Sequence, residues 1–453
     1  MRRRGVLLLV VSCLTLCLPV LASAGASAAR DGRPAPGPGT PADSSGRSGW
    51  GGVSCPSKGD CTAAGTYSRK GGGIFVILER HSAWGKAEAL PGGKKIGASG
   101  VNSLSCASPG NCALGGYTYS ADSDTNEAMI ATQRKGKWSK AEVVPGLHAI
   151  RSFYADAFIN SVSCTSPGNC SAGGSYGTDT GATATLVVTE THGRWGKAAR
   201  GPGDGISSIS CWSAGNCAAL AGGTDSSVIL TQKKGTWVKT ETMPGLVNLV
   251  QVSCWSAGNC TAAGSKEEPG EISQAFVIAD KAGHWTKGEI VPGTAALNGG
   301  GNAAATALSC VAGANCSMVG YYAPESREQL PFAANEIRGT WKSAEQVPGT
   351  TLDFNPYFNS VSCGTAGNCA AGGWYYNSDD VAEAAFASQK NGIWAAVQEL
   401  PGSGAITGGA GPFTVSCGAA NSCSGLVFAA NGDDYLTLER NQTWQRAENP
   451  PGI

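Results

Sequence analysis

Residues 360–369 read Ser-Val-Ser-Cys-Gly-Thr-Ala-Gly-Asn-Cys, two cysteines six positions apart with turn-forming residues between them. An apolar residue and a serine precede the first cysteine, which is typical of a strand, a tight turn and a second strand. The spacing occurs eight times and uses every cysteine after residue 17. The pairs are Cys55/Cys61, Cys106/Cys112, Cys164/Cys170, Cys211/Cys217, Cys254/Cys260, Cys310/Cys316, Cys363/Cys369 and Cys417/Cys423. Zinc sites use shorter spacings and histidines, and none of the four histidines lies in these segments, so we predict eight hairpin disulfides.

A second motif follows each cysteine pair: a tryptophan, and a Pro-Gly whose proline lies seven residues later. The eight examples are Trp84/Pro91, Trp138/Pro145, Trp195/Pro202, Trp237/Pro244, Trp285/Pro292, Trp341/Pro348, Trp394/Pro401 and Trp444/Pro451. Eight complete units therefore follow residue 50, with first cysteines 43 to 58 residues apart. Periods of this length indicate a solenoid or a propeller. One tryptophan per unit is expected to pack between neighbouring units.

The number of strands in each unit favours the propeller. In the seventh unit, strands are predicted at 360–363, 369–376, 382–389 and 393–400. Four short antiparallel strands form a blade, whereas a helical solenoid would need a 3.6-residue periodicity that is not visible. We predict an all-β fold, an eight-bladed β-propeller of four-stranded antiparallel blades with one hairpin disulfide per blade. Seven blades plus an irregular unit, or a right-handed β-solenoid, are the alternatives.

The first 49 residues do not belong to these units. Arg2 to Arg4 precede an apolar stretch and two A-x-A cleavage sequences, which predicts a signal peptide over residues 1–28. A lipoprotein box ending at Cys13 is the alternative. Residues 29–49 are rich in Pro, Gly and Ser and are expected to form a flexible spacer before a single folded domain at 50–453. Disulfides and a signal peptide together predict a secreted, extracellular protein.

Charge and hydropathy exclude two classes of partner. The chain has 33 Lys+Arg and 33 Asp+Glu, and removal of Arg2 to Arg4 leaves 30 basic residues against 33 acidic ones, a net charge of −3. A nucleic-acid binder would be basic, so no nucleic-acid partner is expected. No long apolar run follows residue 30, so no membrane span is expected either.

The repeat resembles the S-C-x-S-x-G-N-C repeat proteins that actinobacteria export, whose repeats are propeller-like. Residues 252–260 (Val-Ser-Cys-Trp-Ser-Ala-Gly-Asn-Cys) and Val347-Pro-Gly carry the resemblance, which extends over residues 50–453. The first unit departs from it at residues 58–60 and the last at residues 420–422, as expected of terminal units. The resemblance implies no catalytic residues.

Side chains that could perform chemistry do not form a recognisable motif. There is no unpaired cysteine after residue 17 and no G-x-S-x-G turn for a nucleophile. Aspartates recur between the second and third strands, as turn residues do: Asp122, Asp124, Asp179, Asp379, Asp380, Asp433 and Asp434. A glycoside hydrolase or lyase would need two carboxylates about 5 to 10 Å apart at the channel mouth, and stays an alternative. No cofactor is expected; Ca²⁺ at Asp122/Asp124 or Asp379/Asp380 is an alternative, without an EF-hand loop to support it.

Aromatic residues between and within the units predict a binding site. Two connecting segments, at 151–158 and 353–358, are unusually aromatic and lie four units apart, opposite each other in an eightfold ring. Aromatic rings beside hydrogen-bonding groups suit the faces of sugars. The predicted ligand-binding residues are Phe153, Tyr154, Asp156, Asp353, Phe354, Tyr357, Trp374 and Tyr375. The predicted function is lectin-like binding of a glycan or cell-envelope polymer without catalysis. The alternatives are a protein-interaction subunit of a secreted assembly and an extracellular hydrolase or lyase.

Overall fold

Eight antiparallel sheets, each built from one sequence repeat, make up the folded part of the chain. The computed structural model describes residues 51–67, 73–93, 99–223, 226–243, 245–270, 272–324, 329–350, 356–379, 381–406, 409–429 and 434–452. The predicted signal peptide and spacer lie outside these residues. The protein is an eight-bladed β-propeller, and in six blades the fourth strand consists of two short segments that both pair with the third strand.

The strands are numbered in chain order. Blade 1 contains β1 (Gly52–Ser57), β2 (Asp60–Tyr67), β3 (Gly73–Arg80), β4 (Ala83–Trp84) and β5 (Glu88–Ala89); blade 2 contains β6 (Ser99–Ser108), β7 (Asn111–Ser120), β8 (Thr125–Arg134), β9 (Lys137–Trp138) and β10 (Glu142–Val143); blade 3 contains β11 (Ala157–Ser166), β12 (Asn169–Gly177), β13 (Thr183–Thr191), β14 (Arg194–Trp195) and β15 (Ala199–Gly201); blade 4 contains β16 (Ile206–Ser213), β17 (Asn216–Ala221), β18 (Val228–Lys233) and β19 (Thr236–Thr242).

The second half of the ring follows the same plan. Blade 5 contains β20 (Val247–Ser256), β21 (Asn259–Glu268), β22 (Ile272–Lys281), β23 (His284–Trp285) and β24 (Glu289–Ile290); blade 6 contains β25 (Asn302–Val311), β26 (Asn315–Ala323), β27 (Leu330–Ile337), β28 (Thr340–Trp341) and β29 (Glu345–Gln346); blade 7 contains β30 (Tyr357–Thr365), β31 (Asn368–Tyr376), β32 (Ala382–Lys390), β33 (Ile393–Trp394) and β34 (Gln398–Glu399); blade 8 contains β35 (Ala410–Ala419), β36 (Ser422–Ala429), β37 (Asp434–Arg440) and β38 (Thr443–Trp444). The crossings between blades hold α1 (Thr294–Asn298) and two 3₁₀ turns, Leu147–Ala149 and Ser403–Ala405.

The first strands of neighbouring blades contact one another around the ring, and β35 of blade 8 contacts β1 of blade 1. The serine before each first cysteine connects them. Its Oγ accepts a hydrogen bond, 2.9–3.0 Å long, from the backbone N–H of the first cysteine in the next blade. The acceptors are Ser54, Ser105, Ser163, Ser210, Ser253, Ser309, Ser362 and Ser416. This inner serine belt closes the ring and satisfies N–H groups on the free edge of each sheet.

The disulfides explain why those N–H groups are available. All eight predicted i, i+6 bridges are present, with Cα atoms 3.9–4.1 Å apart across a β-hairpin. So short a distance marks a non-hydrogen-bonded antiparallel pair, in which each backbone N–H points away from its partner strand. The N–H of the first cysteine therefore points out of its sheet, towards the serine of the preceding blade. Each bridge closes a short loop and contributes about 2 kcal/mol on the chain-entropy model.

The two cysteines of a bridge differ in burial, which the sequence pattern did not indicate. Most of the first cysteines are half-buried, whereas every second cysteine is at most 5 % exposed. These buried residues are Cys61, Cys112, Cys170, Cys217, Cys260, Cys316, Cys369 and Cys423. All but Cys112 belong to a hydrophobic cluster, and the Cys112 Sγ lies 3.4 Å from the Thr62 hydroxyl of blade 1. The bridges are therefore part of the packing between blades and are not a surface site.

The Pro-Gly motif connects blades at the outer rim. The glycine has a φ of 72–101° in all eight motifs, as the third residue of a type II turn requires. At six junctions, the proline carbonyl accepts a 2.6–3.0 Å hydrogen bond from the backbone N–H three residues after the tryptophan of the next blade. The acceptors are Pro91, Pro145, Pro292, Pro348, Pro401 and Pro451. Pro451 bonds Ala87, so this outer proline belt also joins blade 8 to blade 1.

The tryptophans fill the space between blades, as predicted. Each of the eight hydrophobic clusters contains or contacts one of them. Trp444 of blade 8 packs on Phe386 of blade 7, with ring centroids 4.5 Å apart. Trp341 is buried and Trp394 is half-buried. The recurring indole is therefore a structural feature of every junction.

A glycine in the second strand accommodates a bulge in the first. In blade 7, the β30/β31 register shifts between Phe358 and Ser360, which brings the two backbones close together. A Cβ on Gly373 would lie 1.8 Å from the carbonyl oxygen of Tyr357. Only glycine fits this position.

The topology sorts the loops onto two faces. The disulfide face holds the cysteine turns and the turns between third and fourth strands, such as 107–111 and 135–136 in blade 2. The crossing face holds the turns between second and third strands and the crossings to the next blade, such as 121–124 and 144–156. The predicted ligand-binding residues that the structure describes lie at the crossing face. Among the described residues, no helix is long and apolar enough to cross a membrane.

Candidate ligand-binding face

The crossing from blade 2 to blade 3 is built around a buried arginine. The Arg151 side chain donates a 2.5 Å hydrogen bond to the Glu127 carboxylate of β8. It also donates to the backbone carbonyls of Ser152, Phe153 and Ala155, at 3.1, 3.1 and 2.7 Å. The Arg151 side chain thus connects the crossing to blade 2 and also forms hydrogen bonds within the crossing. The segment that follows is held in one conformation by buried, charge-assisted hydrogen bonds.

This anchored crossing presents two aromatic rings to solvent. Phe153 is 54 % exposed and Tyr154 is 81 % exposed, and the rings meet edge to face with centroids 5.0 Å apart. Asp156, the third predicted site residue on the segment, is exposed and its Oδ1 accepts hydrogen bonds from the backbone and side-chain N–H groups of Asn126, at 2.7 and 3.2 Å. Asp156 therefore fixes the crossing to the beginning of β8 in blade 2.

The opposite side of the predicted site is arranged differently. Tyr357 is only 9 % exposed and lies between Trp374 and Tyr321, with centroid distances of 4.7 and 6.0 Å. Burial raises the pKa of its hydroxyl. Trp374 is also buried and Tyr375 is half-buried, so this side is a packed aromatic cluster at the junction of blades 6 and 7. The structure does not bring these rings together with Phe153 and Tyr154.

Two of the eight predicted site residues, Asp353 and Phe354, lie outside the described residues. Tyr357 is packed in the interior because it begins β30 on the side of the strand that faces blade 6. The aromatic content of segment 353–358 predicted exposed rings. However, β30 begins at Tyr357, whereas the sequence pattern predicted a strand from residue 360. Removal of the Tyr357 ring would therefore change the core.

A pair of carboxyl groups lies beside this cluster. Glu383 and Glu399 share a hydrogen bond, which raises the pKa of Glu399. Burial alone would raise the pKa of Glu383, but hydrogen bonds from Glu399, Asn377, Tyr375 and Ser403 lower it. Carboxyl groups in hydrogen-bond contact are closer than the 5 to 10 Å that glycoside hydrolysis needs between its two carboxylates. The pair orders the turn and the crossing of blade 7.

A second group of acidic side chains recurs around the ring. The residue that pairs with the tryptophan is a buried acid or amide in every blade, at most 6 % exposed. These residues are Glu79, Gln133, Glu190, Gln232, Asp280, Glu336, Gln389 and Glu439. Six of them accept a hydrogen bond from a hydroxyl of the preceding blade. They connect blades, and they are spread evenly around the ring rather than gathered at one site.

Burial raises the pKa of all five carboxyl groups in this set. The pKa of Glu336 rises to about 7, first through burial; Lys281 and a hydrogen bond from Thr261 oppose the rise, and Glu289 adds to it. Strongly shifted carboxyls can mark active sites, but structural networks shift them too. Repetition at every junction supports the structural explanation.

The two clusters of described residues with metal-ligand geometry each combine a disulfide with a buried glutamate, Cys55/Cys61 with Glu79 and Cys310/Cys316 with Glu336. Disulfide sulfur is not a thiolate and does not bind zinc. Asp122/Asp124 was one of the two alternative Ca²⁺ sites, and there Asp124 accepts a 2.5 Å hydrogen bond from the Tyr119 hydroxyl. Asp380 lies outside the described residues.

A cavity of about 510 Å³ opens at the crossing face between blades 4 and 5. Its walls include Gly222 and Gly223 of blade 4 and Asn248, Ser265 and Glu267 of blade 5. The volume lies in the range of small-molecule sites. No sequence pattern predicted a site here, because these two units lack the aromatic residues that follow the second cysteine in the other units.

Comparisons with known proteins concern the fold. No family model matches the chain, and no curated protein matches it. Among solved structures, the BP39L lectin from Burkholderia pseudomallei is similar with a TM-score of 0.45 and 12% identity, over 89% of this chain and 99% of the lectin. A mutant of the Aleuria aurantia lectin has a TM-score of 0.39 and 10% identity, over 78% of this chain and 95% of that one. The GH74 xyloglucanase from Xanthomonas campestris has a TM-score of 0.35 and 13% identity, over 88% of this chain and 67% of the enzyme. Likeness at this level says nothing about ligand or activity.

Proposed function

We propose that this protein binds a glycan or a glycan-bearing cell-envelope polymer at its crossing face and does not change it chemically. The observation that carries the proposal is the exposed Phe153–Tyr154 pair on a crossing fixed by buried Arg151. The C–H faces of sugar rings stack on aromatic rings, while their hydroxyls need hydrogen-bonding groups close by. Two adjacent aromatic rings that remain exposed on an anchored segment favour a bound partner.

The way the crossing is held supports a binding role. A loop that must be ordered on binding loses part of its affinity to that ordering. Here Arg151 and Asp156 fix both ends of the short segment through hydrogen bonds of 2.5 to 3.2 Å. The rings are therefore positioned before a ligand arrives, as in sites that use a rigid platform.

The experiment is a glycan array with the protein from residue 29 onwards, followed by titration of the best ligand. Phe153→Ala with Tyr154→Ala should weaken that ligand at least tenfold, a loss of about 1.4 kcal/mol or more. The melting temperature should stay unchanged, because both rings are exposed. The matched control is Tyr376→Ala, a 39 % exposed ring of blade 7. Unchanged affinity in the double variant would contradict the assigned site, and turnover of the glycan would contradict binding without catalysis.

A second candidate function rests on exposed isoleucines at the disulfide face. Ile337 of blade 6 is 47 % exposed and Ile393 of blade 7 is 76 % exposed. A hydrogen bond from Asn335 to the Gly392 carbonyl joins the two blades beside them. Neighbouring apolar side chains on one face suit a protein partner. In that case Ile393→Asp would leave glycan binding intact and prevent co-purification of the partner from culture supernatant.

A further inference from the structure

The cavity between blades 4 and 5 occurs where the repeat omits an aromatic residue. Six blades have an aromatic ring five or six residues after the second cysteine: Tyr67, Tyr117, Tyr176, Tyr321, Tyr322, Trp374, Tyr375 and Phe428. Blade 4 has Gly222 and Gly223 at these two positions, and blade 5 has Ser265 and Lys266. The omission is therefore confined to two neighbouring blades of the ring.

Where the ring is present, it packs at a junction between blades, and the two rings at the position equivalent to Gly222 in blades 2 and 6 face the next blade. Tyr117 of blade 2 contacts Phe158 of blade 3, with centroids 5.4 Å apart, and Tyr321 of blade 6 contacts Tyr357 of blade 7. Gly222 has no side chain to fill the corresponding space between blades 4 and 5. The cavity of about 510 Å³ lies at this junction.

The cavity is lined by polar groups that the rest of the fold does not use. Asn248, Ser265, Ser273 and Glu267 contribute to its walls. Within the described ranges, none of their side chains hydrogen-bonds to another part of the chain, and the bond from Ser273 to Asn302 uses the backbone N–H of Ser273. Hydroxyl and amide groups of this kind can exchange water for the hydroxyls of a sugar.

The electrostatics of the cavity add a charge preference. Lys266 and Glu268 flank Glu267 in β21. They form an ion pair with each other, with Nζ and Oε1 2.6 Å apart. Among the described residues, Glu267 has no cation within ion-pair distance, so one carboxylate at the cavity is left uncompensated. An uncompensated charge in a partly enclosed space attracts a ligand of opposite charge. The bound group should therefore carry hydroxyls and a cation.

We propose that the cavity between blades 4 and 5 binds an amino sugar with a free, protonated amine. The hydroxyls of the sugar bond to Asn248, Ser265 and Ser273, and its ammonium group bonds to Glu267. This inference rests on the proposed glycan binding and names the sugar class that a second part of the crossing face selects.

Calorimetric titration with glucosamine oligomers and with N-acetylglucosamine oligomers tests the charge preference. The two probes share a ring and differ in the charged amine. Wild type should bind the glucosamine oligomer at least tenfold more tightly, and added salt should reduce the difference. Glu267→Gln should remove that preference. Glu142→Gln, which removes an exposed carboxylate of blade 2, should preserve it. Equal affinity for both probes in the wild type, or an unchanged preference in Glu267→Gln, would overturn the proposal.

Gly222→Tyr tests the location, because it restores the ring that blades 2 and 6 have at the equivalent position. A Cβ on Gly222 meets only ordinary contacts, the nearest being the Asp204 Cβ at 3.8 Å, so the variant should fold with an unchanged melting temperature. It should abolish binding of the glucosamine oligomer. If this folded variant keeps full affinity, the cavity is not the site, although weaker binding of the best array ligand by the Phe153→Ala/Tyr154→Ala variant would still support the proposed function. If Gly222→Tyr abolishes amino-sugar binding while the Phe153→Ala/Tyr154→Ala variant binds the array ligand as the wild type does, the cavity is supported as a site and the aromatic site is contradicted.

Discussion

Glu336 should make the stability of the propeller depend on pH. Its carboxyl group is 3 % exposed at the junction of blades 5 and 6, and its pKa is raised from 4.5 to about 7. At about 1.4 kcal/mol per pKa unit, the full shift corresponds to roughly 3 kcal/mol. A cavity of about 250 Å³ beside the carboxyl group gives it partial access to solvent, so we expect about half of this figure.

The sign follows from the direction of the shift. The folded-state pKa lies above that of the unfolded chain, so the folded state binds the proton more tightly. The contribution is therefore complete below about pH 4.5 and is lost as the pH rises through about 7. Burial raises the pKa of Glu79, Glu190, Asp280 and Glu439 as well, so the wild type should lose stability in the same direction.

Glu336→Gln removes one of these carboxyl groups and introduces an amide, which three other blades already have at this position. Gln133, Gln232 and Gln389 occupy the same position in blades 2, 4 and 7. Guanidinium unfolding followed by tryptophan fluorescence, at about pH 5 and about pH 8, gives the change in unfolding free energy for each variant. The decrease in unfolding free energy from about pH 5 to about pH 8 should be about 1.5 kcal/mol smaller in Glu336→Gln than in the wild type. The exposed control Glu345→Gln should match the wild type. An undiminished pH dependence in Glu336→Gln would refute the assignment.

Three further predictions concern the junctions. Trp394→Ala should lower the free energy of unfolding by about 3 kcal/mol, because the indole packs on the cluster shared by blades 6 and 7; an unaffected denaturation midpoint would argue against that packing role. Ser362→Ala removes the acceptor for the N–H of Cys417 and should cost about 1 kcal/mol in the same assay, whereas a neutral change would show that the inner serine belt contributes little. A chain ending before Pro451 loses the hydrogen bond to Ala87 and should melt at a lower temperature, and an identical melting curve would mean that the outer proline belt is dispensable at this junction.

The repeat made the architecture predictable. Cys363 and Cys369 lie on one hairpin, so their pairing depends only on local spacing, and eight such units define the blade count. The inner serine belt could not be predicted in the same way. Ser309 bonds to Cys363, 54 positions along the chain, and only the closed ring shows which repeats are neighbours.

The candidate site was only partly predictable for a similar reason. Aromatic content identified Phe153 and Tyr154, which are exposed, but gave equal weight to Tyr357, which is buried. Whether a ring faces solvent or the adjacent blade depends on the residue at which the strand begins, and composition does not contain that information. Arg151 lies in the aromatic segment 151–158. Its anchoring role could not be predicted, because it depends on Glu127, which lies in a different strand.

The bonds that join blade 8 to blade 1 are of the same kinds as those at other junctions. Ser416 bonds to Cys55 and Pro451 to Ala87, and in the described part of the chain the sheets of blades 1 and 8 are each built from a single repeat. The junction that closes the ring is therefore built like its neighbours. If the chain were opened at another crossing and its present ends joined, the same interblade bonds could form. Circular permutants of this propeller should form the same ring, with the repeats occupying the same positions in a different chain order.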